Sequence, residues 1–206
     1  MSSDDELRGA PAGKYQIHQR LAVGGACDVY LAKHAHKDLW VAVKVIKKDH
    51  ATVKAFQRQL QNEYSILCGL RSRYLPRVVD LTEVSGRPAI VMQLGPEYSL
   101  SHCLNHNIDI QWRPLLCRLA ETLSYLHSQD VIHNDLKPEN VLVYPDGNIL
   151  LIDFGLARKL RTTTEVTAVF RATILGRQMA TIYPKEHPHE GQTIHRRTDH
   201  PCSESR

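Results

Sequence analysis

Three side chains able to present oxygen atoms, Asp135, Asn140 and Asp153, cluster around one hairpin signal in this chain of 206 residues. The signal is Pro145-Asp146-Gly147-Asn148, a turn-forming tetrad between the apolar runs Val141-Leu142-Val143-Tyr144 and Ile149-Leu150-Leu151-Ile152. Antiparallel pairing of the two runs brings Asn140, just before the first, beside Asp153, just after the second. Asp135 lies five residues before Asn140, in the same loop. Carboxylate and amide oxygens meeting at one sheet end suit a hard cation such as Mg²⁺, which keeps several waters and shares substrate phosphates. Any one of these residues alone reads as a turn or cap. All three within His133-Asn134-Asp135-Leu136-Lys137-Pro138-Glu139-Asn140 and Asp153-Phe154-Gly155 make that bland reading weak.

Two more charges stand where charge is out of place. Lys44 interrupts the apolar run Trp40-Val41-Ala42-Val43 on the face shared by Ala42 and Ile46. A half-buried ammonium needs an anionic partner or loses its charge. Glu63 is the matching oddity, on the apolar stripe of a helical pattern over 52–70 marked by Phe56, Leu60, Tyr64, Leu67 and Leu70.

The elements that must position these groups follow from periodicity. Strand patterns begin at Tyr15 and recur at 29–31 and 40–43, with Gly24-Gly25 between the first two. After the helix come strand patterns at 77–81 and 89–92, with Ser85-Gly86-Arg87-Pro88 as their turn. The order β-β-β-α-β-β ends at Gly95-Pro96, a hinge signal, beyond which Leu115, Leu119, Leu123 and Leu126 predict a long helix ending near Ser128. Residues 1–13 read as a disordered lead, and no firm element is assigned after Leu160.

Composition narrows the function classes. Apolar residues are 42% and charged residues 23%, which is ordinary globular usage. A formal charge of +4, scattered along the chain, does not predict a nucleic-acid partner. No apolar stretch approaches the roughly 20 residues of a membrane span, and the start has no apolar region of a secretory signal. Five cysteines without CxxC spacing argue against a disulfide framework or zinc site, and for a reducing, cytoplasmic setting. His187, His189, His195 and His200 read as part of a solvated tail.

The strings His133 to Asn140 and Asp153-Phe154-Gly155 resemble the catalytic loop and D-F-G triplet of the protein kinase family. Val41-Ala42-Val43-Lys44 resembles its V-A-I-K strand, and Leu21 to Val29 its glycine-rich loop, with Gly24 retained, Gly25 added, and Ala22 and Cys27 in place of two glycines. The resemblance implies an α+β, bilobal fold with ATP in the cleft. A small lobe over 14–94 has a five-stranded antiparallel sheet and one helix. A shortened, mainly helical large lobe covers 95–206. It implies that Asp135 orients the substrate hydroxyl, Lys137 neutralises the transferring group, and Asn140 and Asp153 hold Mg²⁺. Lys44, paired with Glu63, aims at the ATP phosphates. Gly24, Gly25, Val29, Ala42, Met92, Gln93 and Leu94 surround the nucleotide.

Lys137 in the Leu136-Lys137-Pro138 string resembles serine/threonine rather than tyrosine kinases. Asn134 stands where an arginine is usual, so activation by loop phosphorylation is not expected. Pro184-Lys185-Glu186 resembles a degenerate A-P-E motif, Arg197-Thr198-Asp199 the start of the following helix, and Thr162, Thr163, Thr164 and Thr167 are candidate phosphoacceptors. The short large lobe and Asn134 resemble bacterial effector kinases delivered into host cytoplasm, one group of which phosphorylates the host chaperone Hsp90. A protein substrate is therefore expected, with no nucleic-acid or membrane partner. Two alternatives stand beside this: a pseudokinase binding module, favoured by the altered glycine loop, and a small-molecule kinase of the aminoglycoside or choline type.

Overall fold

A computed structural model describes residues 6–160. A sheet of six antiparallel strands runs in the order β1-β2-β3-β4-β6-β5: β1 (Pro11–Ala12), β2 (Tyr15–Val23), β3 (Cys27–His34), β4 (Trp40–Ile46), β5 (Val78–Val84) and β6 (Arg87–Gln93). The helix α1 (Lys54–Gly69) lies between β4 and β5 in the chain. Side chains alternate across the sheet, and each of its faces contributes to a core cluster. Tyr30, Ala32, Val41, Val43, Val45, Ala89 and Val91 form one core with Leu7 and Ile17, while Ile46 and Ile90 pack with Leu60 of α1 on the opposite face. That second face carries Lys44, whose register neighbours are Val29 on β3 and Ile90 on β6.

The strand count departs from the five expected, and so does the lead. Residues 1–13 were expected to lack structure, yet from Glu6 onward the lead belongs to the small lobe. Leu7 is 2% exposed within the sheet core, the Gly9 N–H donates to the Ile17 carbonyl at 2.8 Å, and β1 pairs with β2. One apolar residue among polar ones gave no periodic signal, but Gly9 and Gly13, with φ of 78° and 59°, let the chain double back and bury it.

The β5–β6 turn is also tighter than its four-residue signal. Ser85 and Gly86 both have positive φ, 51° and 74°, as a two-residue hairpin turn requires. Arg87 and Pro88 therefore belong to β6. Pro88 is tolerated because the pairing of β6 with β4 reaches only to Ala89, so its missing N–H breaks no bond to that strand.

Beyond the hinge come α2 (Leu100–Asn105) and α3 (Trp112–Ser128). The Ser99 hydroxyl caps α2 by accepting from the His102 N–H at 3.1 Å. Leu115, Leu119, Thr122 and Leu126 bury one stripe of α3, and the Thr122 hydroxyl is satisfied by the Arg118 carbonyl at 2.7 Å. The expected hairpin forms from β8 (Val141–Val143) and β9 (Ile149–Leu151). A second short pair joins β7 (Val131–Ile132) to β10 (Arg158–Lys159). A core of Leu67, Leu75, Leu115, Leu126, Ile149, Leu151 and Phe154 ties α1 to these elements. The A-P-E remnant, Arg197-Thr198-Asp199 and the four candidate threonines lie outside the described residues.

Truncating Leu7 to alanine is expected to lower unfolding stability by about 2–5 kcal/mol, as for other buried leucines. Chemical denaturation checks this, and an unchanged midpoint would remove the lead from the core.

Candidate active site

Strand β4 sets Lys44 in a gap between two elements that each bring a carboxylate. Its Nζ donates to Oε2 of Glu63 at 2.6 Å and to Oδ1 of Asp153 at 2.7 Å. Glu63 is fully buried on α1, and both its oxygens are used: Oε1 accepts the Phe154 N–H at 3.2 Å. One side chain thus fixes β4, α1 and the backbone after β9 relative to one another. Burial opposes the charge on Lys44, but Glu63 and Asp153 outweigh it and hold its pKa above the ordinary lysine value. Burial likewise pushes the Asp153 pKa up, and the Lys44 ammonium pulls it below the usual carboxylate value. Asp153 has φ of 65°, a conformation that aspartate tolerates better than most residues.

The loop after β7 supplies the second group. Lys137 Nζ contacts Oδ2 of Asp135 at 2.7 Å, and this hydrogen bond raises the Lys137 pKa. The Asn140 Nδ2 donates to the Asp135 carbonyl at 2.8 Å and to its Oδ2 at 2.9 Å. With its nitrogen so committed, the side-chain acceptor of Asn140 is its Oδ1, and the Ile152 N–H donates to the Asn140 carbonyl at 2.9 Å, tying this loop to the end of β9. Asn140 and Asp153 are the expected donor set for Mg²⁺. An amide oxygen and a half-exposed carboxylate with one oxygen left over fit a hard ion that takes its remaining ligands from water and phosphate.

His133 is buried behind this loop. Its Nδ1 accepts the Asp135 N–H at 3.3 Å, so Nε2 carries the proton and donates to the Ile152 carbonyl at 3.0 Å. Its ring meets Phe154 edge-on, with centroids 4.6 Å apart. The sequence signalled His133 only as part of its string; its bracing role emerges from these contacts.

Several of the residues expected around a nucleotide share one face of the sheet. Val29 and Ala42 lie on the Lys44 side of the sheet, and Met92 pairs with Ala42 across β4 and β6. Gly24 and Gly25 lie in the turn between β2 and β3. A Cβ on Gly24 would stand 2.4 Å from the Cys27 carbonyl, so glycine is required there by contact, whereas Gly25 meets nothing within 4 Å. The Gln93 N–H donates to the Arg77 carbonyl at 2.8 Å, which pins the hinge to the start of β5. Two further residues escaped sequence reading. A Cβ on Gly95 would lie 2.6 Å from Leu142 and 3.0 Å from Leu150, so these hairpin leucines form the wall on which the hinge rests. In the sequence they are indistinguishable from ordinary hairpin core.

Burial lowers the His133 pKa despite the hydrogen bond to Ile152. Since the folded value is below the unfolded one, the neutral ring supports the fold fully above the ordinary histidine pKa of about 6.5, and that support is lost as pH falls through the folded value. An NMR titration of the ring protons should give His133 a midpoint below that of exposed histidines; a midpoint at or above theirs would contradict the bracing geometry.

The sequence matches the protein kinase domain family over residues 15–175. It is similar to the serine/threonine-protein kinase PrkC of Bacillus subtilis, 30% identical over 156 residues, covering 74% of this chain and 24% of that protein. The serine/threonine-protein kinase cds1 of Schizosaccharomyces pombe is 32% identical over 167 residues, covering 78% of this chain and 36% of that protein. CBL-interacting protein kinase 21 of Oryza sativa is 36% identical over 159 residues, covering 73% of this chain and 30% of that protein. The chain therefore spans between a quarter and about a third of the length of these relatives.

Proposed function

The chain belongs to the protein kinase family, on its serine/threonine side, and on that footing we propose that it transfers the γ-phosphoryl group of ATP to a serine or threonine hydroxyl of a protein. The observation that carries this reading is the Lys44–Glu63–Asp153 network at 2.6 and 2.7 Å, which joins the two halves of the site. Lys44 presents its charge to the phosphates. Asp135 orients the incoming hydroxyl and accepts its proton, and Lys137, already against Asp135, neutralises charge on the group in transfer. Asn140 and Asp153 would hold Mg²⁺, which would supply further positive charge at the phosphates. The protein does little covalent work; orientation and fixed charge carry the rate.

Within the same reading the setting is cytoplasmic. The Asn134-containing loop resembles that of bacterial effector kinases, and this makes host Hsp90 the first protein to test as substrate. Incubation with cell lysate and labelled ATP, followed by identification of the labelled protein, decides between Hsp90 and others.

With Mg²⁺ and labelled ATP, Asp135→Asn and Asp153→Asn should each lower transfer to protein by on the order of 10²-fold or more. Wild type that labels protein no better than Asp153→Asn indicates a binding module. Wild type that labels small alcohols in preference to protein indicates a small-molecule kinase.

A further inference from the structure

The segment that follows Asp153 is gripped from two sides, by Glu63 and by side chains that the reaction itself does not use. On α1, Gln59, Asn62 and Glu63 stand three and four residues apart, on one helical face. Glu63 takes the Phe154 N–H. Asn62 donates its Nδ2 to the Ala157 carbonyl at 2.8 Å. Gln59 packs where a Cβ on residue 155 would stand, 2.9 Å from its Nε2, so Gly155 is what lets α1 approach this closely. From the other side Asn134 donates its Nδ2 to the Leu156 carbonyl at 3.1 Å. Asn134 has φ of 62°, in the left-handed region that asparagine tolerates. Both asparagines are exposed, so neither is needed to fill the core.

We propose that Asn62 and Asn134 are positioning residues: two amide donors that clamp consecutive carbonyls, those of Leu156 and Ala157, and so hold Asp153 against Lys44. The proposal rests on the phosphoryl-transfer reading for its catalytic consequence, though the clamp itself does not. The geometry explains why it matters. Asp153 is linked to α1 through Lys44 and Glu63, and beyond Phe154 the chain is held by the buried Ala157 side chain and by these two amide donors. The Ala157 N–H returns to the Phe154 carbonyl at 3.0 Å, making a turn of residues 154–157. The two asparagines hold that turn on its outer carbonyls, one from the small lobe and one from the catalytic loop. β10 then pairs with β7, and the Leu160 N–H reaches the Asp130 carbonyl at 2.7 Å, so the segment is held at both ends.

The test uses Asn62→Asp and Asn134→Asp, which keep the side-chain shape and remove the donor. Each should lower kcat for protein phosphorylation about three- to tenfold, and the pair together by more than either alone, with KM for the protein substrate unchanged. Asn62→Gln, which keeps an amide donor, should recover at least half of the loss. Amide hydrogen exchange provides a readout independent of activity: the Phe154 and Ala157 amides should exchange faster in Asn62→Asp, although Asn62 touches neither. Unchanged exchange at both amides overturns the clamp, whatever the activity. Faster exchange with an unchanged kcat overturns the positioning role. Faster exchange in a chain whose wild type transfers no phosphate leaves the clamp standing and removes the kinase reading instead.

Discussion

A single ammonium between two carboxylates is the constraint from which the architecture follows. Lys44, Glu63 and Asp153 come from β4, from α1 and from the chain after β9, and their contacts of 2.6 and 2.7 Å require all three elements in place at once. A buried charge left without its partner is strongly destabilising, so the cost of misplacing any one element is carried by the other two. Burial raises the Glu63 pKa and the Lys44 ammonium opposes that rise, while at Asp153 burial is outweighed by the same ammonium, which holds it below the usual carboxylate value.

Packing repeats the same logic around the trio. Phe154 is fully buried beside His133 and in the core that includes Leu67 of α1, so the residue after Asp153 is held by hydrophobic contact while its N–H is held by Glu63. His133 links the Asp135 N–H to the Ile152 carbonyl through its two nitrogens. The catalytic loop and the strand end carrying Asp153 thus share a ring whose tautomer is dictated by its neighbours.

The readable parts of the sequence were those governed by local rules. The Pro145-Asp146-Gly147-Asn148 turn set the hairpin, and Lys44 and Glu63 announced themselves as charges on apolar faces. What stayed hidden depended on distant partners. Leu7 carries no periodic signature, and it shares its cluster with residues as distant in the chain as Ala89 and Val91. Arg87 and Pro88 look like turn residues until the ladder of β6 against β4 is known to stop at Ala89. Leu142 and Leu150 acquire their role from Gly95, some fifty residues away in the chain. Gln93 could be placed in the hinge from sequence, but the use of its N–H by Arg77 could not.

Cys27, the first residue of β3 after the Gly24-Gly25 turn, carries one more consequence. Burial, with the carboxylates of Glu63 and Asp153 acting against the nearby Lys44, pushes its thiol up to about 11. The thiolate, the form that attacks acrylamides and peroxides, is therefore scarcer here at neutral pH than on a free cysteine. This thiol is expected to react slowly with alkylating agents even though the Lys44 ammonium lies near it.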